Sequence, residues 1–134
     1  MKNKFLIGVL LTSSLLTAND SLAEHQKIVH QKMLQMNEAM ITIQSGFLTK
    51  NIQKINDGGL KLIDVIKNVK AAPQTDVYQA SNDIHLTQTK SKSIVKNVEK
   101  MMKSFEKGDK YKALNHYTSV TKQCMSCHAK IRKW

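Results

Sequence analysis

Cys124-Met125-Ser126-Cys127-His128 is the stretch of this sequence best equipped for chemistry. Two thiols three residues apart can each add to one vinyl group of a haem. An imidazole directly after the second can ligate the iron. Other uses of the pattern have different requirements. A redox dithiol normally lies near a βαβ pattern at a helix start, where the dipole lowers a thiol pKa. A zinc site wants a fourth ligand that is not evident here. A plain disulfide between the two cysteines needs nothing further. The chain is expected to carry one covalently bound haem c and its iron.

Haem of this kind is attached outside the cytoplasm, and the N-terminus reads accordingly. Lys2 and Lys4 precede a mostly apolar run from Phe5 to Leu16, and Ser21-Leu22-Ala23 puts small residues where a signal peptidase reads. Residues 1–23 are expected to be a cleavable signal peptide and 24–134 the mature domain, in the periplasm. Thr12, Ser13 and Ser14 break the run short of the roughly 18 residues that a membrane anchor needs. No cysteine stands at the cleavage site for a lipoprotein. Hence no integral membrane span is expected after cleavage. The formal charge is +11, and loss of Lys2, Lys4 and Asp20 lowers it by one. A surface this basic favours an acidic partner or anionic headgroups. Nucleic acid fits poorly, because the chain is exported, has the single arginine Arg132 and shows no aromatic–basic interleaving.

The elements that must position the motif are helices. Glycine and proline are scarce and good helix formers abound. Val29, Met33, Met36, Met40, Ile43 and Phe47 are spaced 4, 3, 4, 3 and 4, the stripe of a first helix, with Gly46 at its end or at a close packing point. A second is expected over 50–69, with Ile52, Ile55, Gly59, Leu62, Ile66 and Val69 inward. Gly58-Gly59 either divides it or admits a close neighbour, and continuity is the preferred expectation. Residues 71–82, with Pro73, read as the longest loop. A third helix is expected over 83–107, with Ile94, Val98, Met101 and Phe105 inward. Gly108-Asp109 reads as a cap and a new start. The fourth should run over 110–130, burying Leu114, Tyr117, Val120, Cys124, Cys127 and Ile131. The expected fold is all-α, an antiparallel four-helix bundle with the haem near the C-terminus of the last helix.

The segment from Gly108 to Arg132, with its Cys124-x-x-Cys127-His128-x-x-Ile131-Arg132 ending, resembles the class II cytochromes c. These are the cytochrome c′ proteins and the low-spin cytochromes c556. The placement of the motif after three other helices is similar too. The resemblance covers the mature chain by architecture and roughly its last 25 positions by residue. It implies thioethers at Cys124 and Cys127, His128 as fifth iron ligand and Arg132 near the haem propionates. A guanidinium can pair a carboxylate in two parallel hydrogen bonds, although a basic residue at a helix end also simply suits the dipole. The chain departs from the family at Val29, four before Met33, where many members carry an arginine.

The opposite face of the iron decides what such a protein does. A thioether or a second imidazole makes the centre six-coordinate and suited to electron transfer, whereas an apolar neighbour leaves the iron open to a small gas. Met33 is the expected sixth ligand, with Met36, Met40, His30 and then His25 as rivals; a methionine on an apolar face otherwise serves as packing. His85 and His116 read as surface residues or haem-edge neighbours. The leading expectation is a non-enzymatic periplasmic carrier of single electrons between redox partners with acidic docking faces. A cytochrome c′ binding nitric oxide or carbon monoxide is the alternative. A weak peroxidase using His30, or a haem-free structural protein with a disulfide, stands further back. The long apolar stripe of helix one leaves room for a homodimer.

Overall fold

The computed structural model describes residues 13–69 and 77–131, and side chains over 23–69 and 82–131. Four helices account for nearly all of them: α1 Ser13–Leu48, α2 Ile52–Lys67, α3 Val77–Glu106 and α4 Lys110–Ile131. No strand occurs among the described residues. The expected all-helical bundle is what the chain forms. Residues 1–12, Pro73 and Arg132 lie outside the described residues. α1 runs unbroken across Ala23-Glu24, the expected cleavage point. No described helix is long and apolar enough to cross a membrane.

Hydrogen bonds at the turns explain the short connections. After α1, Asn51 N–H donates to Gly46 O and Lys50 N–H to Phe47 O, with Lys50 at φ 51°. After α3, Asp109 N–H donates to Ser104 O and Gly108 N–H to Phe105 O, with Gly108 at φ 80°. Both are Schellman closures, which satisfy carbonyls that a helix end would otherwise orphan. The next helix starts at once, because Asn51 Oδ1 accepts from Lys54 N–H and Asp109 Oδ1 from Lys112 N–H, each at 3.0 Å. Each cap contributes about 1 kcal/mol.

Cross-helix pairs establish the antiparallel order. Gly46 faces Ile55, Gly58 faces Ala39, Glu38 pairs Lys61 at 2.8 Å, and Lys32 Nζ donates to Asn68 O. Gly59 faces Val98 and Met102, and Asn56 reaches Glu106. Asn97 meets His116, and Lys90 meets Gln123. α1 therefore lies on α2, α2 on α3 and α3 on α4, while no Cα of α1 comes within 8 Å of one of α4.

Glycine decides the α1–α2 approach. A Cβ on Gly58 would sit 2.8 Å from Ala39 O, and one on Gly46 2.6 Å from Ile55 Cγ1 and 2.9 Å from Ile55 N. Gly58-Gly59 thus stays helical and admits its neighbours. The core gathers at this end around Ala39, Ile43, Ile55, Leu62, Val98, Met101 and Val120. Phe47 closes it, edge-on to Phe105 at 5.4 Å and tilted to Tyr117 at 5.6 Å.

Three expectations need correction. α3 begins at Val77 rather than Asp83, since nothing between them breaks a helix. Ile52 is 43% exposed, whereas Ile55, three residues further along α2 and against Gly46, is fully buried. Leu114 is 46% exposed and Ala113 fully buried. The true inward spacing is Ala113, Tyr117, Val120, Cys124, with the small alanine letting α4 close on the core.

Two substitutions test this account by denaturant unfolding. Gly58→Ala should destabilise by roughly 1–3 kcal/mol through overpacking, against the about 1 kcal/mol that helix propensity alone would add. Lys50→Gly should stabilise by about 1 kcal/mol, because a left-handed backbone strains any side chain with a Cβ.

Candidate functional site

Cys124, Cys127 and His128 lie in the last third of α4, three and four residues apart, and all three are half-buried on the helix's inner side. Met125 between them is exposed. One face of α4 therefore presents two sulfurs and an imidazole, as the motif requires. His128 and Lys130 also put basic groups in the last turn, where the helix dipole favours them.

The two cysteines are free thiols, not bonded to one another. Burial, with Cys127 beside it, pushes the Cys124 thiol up. Burial also pushes Cys127 up; Lys90 pulls it down and Asp83 pushes it up. Position and electrostatics are thus the reverse of a redox dithiol, which sits at a helix N-terminus with a depressed pKa. Among the described residues no three His, Cys, Asp or Glu side chains converge to hold a bare metal ion.

This end of the bundle differs from the other. Among the described side chains, none on α1 before Ala39 is fully buried, and none on α4 after Val120. Met33, Met36 and Met40 are half-buried; Met36 and Met40 pack against the core, as do Tyr117 and Cys124. His30 and His85 are exposed. His116 is half-buried, its Nδ1 3.3 Å from Asn97 Oδ1, and burial with Lys100 and Lys112 holds it below the usual imidazole range. Two buried polar atoms at the motif's end lack a hydrogen-bond partner, His25 Nε2 and Asp83 Oδ2.

Asp83 is the site residue that the sequence did not reveal. It is 7% exposed. The signal was available: the inward stripe of α3, followed backwards from Ile94, passes Lys90, Thr87 and Asp83 at spacings of 4, 3 and 4. All three are polar, and Thr87 and Asp83 are buried. Register brings this segment to the motif, because Asn97–His116 and Lys90–Gln123 are each seven residues apart on both helices. A groove of about 490 Å³ opens elsewhere, between the end of α2 and α3, and includes Lys67, Val69, Lys92 and Lys96. No residue of α4 lines it, so it is separate from the motif.

With this geometry in hand, comparison finds no match to the chain among family models, curated proteins or solved structures.

Alkylation of the haem-free chain tests the thiol environment. Both cysteines should react with iodoacetamide more slowly at pH 7 than an ordinary thiol, since little thiolate forms there. A rate limb at or below the ordinary thiol range would restore the dithiol alternative.

Proposed function

We propose that the protein is a monohaem c-type cytochrome of the class II kind, exported to the periplasm, that carries single electrons between redox partners. The observation that carries the reading is the Cys124-x-x-Cys127-His128 face of α4, set beyond Val120, the last fully buried residue of that helix. A haem bound there supplies one-electron ferric–ferrous cycling.

The residues present fit such a group. Cys124 and Cys127 offer Sγ atoms on one face for two thioethers, and His128 follows on the same face to ligate iron. The three motif side chains are half-buried, and Cys124 packs against the apolar core. His25 Nε2 and Asp83 Oδ2 are buried polar atoms with no partner in the protein, as expected at a site that a polar-edged group completes. Arg132 is proposed to pair a propionate, and nothing described bears on it.

Register favours Met33 for the sixth position. Carried from helix to helix, the cross-helix pairs rank Met36 with His116, and so about Ile28 with Cys124. Helical side chains lean toward their own N-terminus and cover the preceding turn. The His128 imidazole then lies near the level of Cys124, and the Met33 thioether near the level of Ile28 and Val29. Met36 and Met40 reach levels deeper in the core, and His25 reaches past the motif.

The charge distribution suits a carrier with acidic partners. Lysines concentrate on the α3–α4 hairpin, opposed there only by Asp83, Glu99, Glu106 and Asp109, while α1–α2 is nearly balanced. Surface lysines in such excess steer an acidic protein into encounter, with a rate that falls as salt rises.

Expression with the periplasmic haem-attachment machinery should give a protein that keeps its haem after denaturation. Reduction should produce sharp, split α and β bands. Met33→Leu should replace them with a broad high-spin spectrum, and Met36→Leu and Met40→Leu should not. A broad spectrum from the unaltered protein would favour gas binding on open iron, and absence of covalent haem would overturn the proposal.

A further inference from the structure

α3 brings one acid and one base to the motif. Asp83 is buried, and its Oδ2 has no hydrogen-bond partner. Thr87, a turn further on, spends its hydroxyl on the Asp83 carbonyl at 2.7 Å and leaves the carboxylate unanswered. Lys90, half-buried and seven residues from Asp83, donates from Nζ to Gln123 Oε1 at 2.9 Å. Gln123 is the residue before Cys124, so this bond pins an ammonium beside the motif. Such groups are costly to leave inside a protein without a task.

We infer that Asp83 and Lys90 set the reduction potential of the haem in opposite directions, Asp83 lowering it and Lys90 raising it. The inference rests on the cytochrome reading above. Reduction adds one electron from a donor protein and removes one positive charge from the iron, and no bond is made or broken. A carboxylate near the iron stabilises the more positive ferric state, and an ammonium stabilises the ferrous state. Partial burial keeps water from screening either effect. Both are positioning residues, since neither is asked to touch iron.

The test is spectroelectrochemical titration of the purified haem protein, with dithionite and ferricyanide as reductant and oxidant. Asp83→Asn, nearly the same shape, should raise the ferrous-to-ferric ratio at a given potential about tenfold, an upward shift of about 59 mV. Lys90→Gln should lower the midpoint, and Lys90→Arg should restore it. Loosened packing would move both variants the same way, so opposite shifts are the signature. Midpoints that stay put, or move together, overturn the inference while leaving the cytochrome reading intact. An unaltered protein without covalent haem defeats that reading itself, and the inference with it. If Asp83→Asn fails to fold, the Lys90 variants decide: a midpoint unmoved in Lys90→Gln, or not restored by Lys90→Arg, is equally fatal.

Discussion

α1 and α2 touch backbone to side chain at Gly46 and Gly58, and the remaining packing follows from how near those two helices come. Without Cβ atoms there, Ala39, Ile43 and Ile55 close into a seam with no measurable exposure. That seam receives Val98 and Met101 from α3 and Val120 from α4. Phe47 then locks the end of the bundle against Phe105 and Tyr117. A tight end of this kind holds four helices together.

The interior changes character along its length. Near the tight end the inner stripe of α3 is Ile94, Val98, Met101 and Phe105, which is ordinary core. Toward the motif the same stripe becomes Lys90, Thr87 and Asp83, while the methionines of α1, Met33, Met36 and Met40, are half-buried. Polar groups inside a bundle cost free energy unless something answers them, and flexible thioethers adapt to irregular surfaces. Both features leave the motif-bearing end less closed than the core around Ile43 and Val98.

Much of the architecture was legible in the sequence. The 4-3-4 spacing on α1 marked its inner face, Gly108-Asp109 marked a helix junction, and α2 and α4 came out within a few residues of their expected ends, whereas α1 begins at Ser13, well before its expected stripe, and α3 at Val77. Misreadings arose where hydrophobicity and position disagree. Leu114 is more apolar than Ala113, yet the alanine is buried, because inward placement depends on helix angle and on how close a neighbour sits. Asp83 and Thr87 escaped notice for the same reason, since a stripe sought among apolar residues stops at Ile94.

By itself the sequence determined the helices, their breaks and the reactive trio on one face of α4, because these depend on local propensity and on spacing within a few turns. Tertiary structure decided which residues meet that trio from other helices. It brought Lys90 to Gln123 and buried Asp83 on the same side of α3. Those outcomes depend on register between helices, which is set by close packing at Gly46, Gly58 and Gly59, at positions far along the chain from the site they serve.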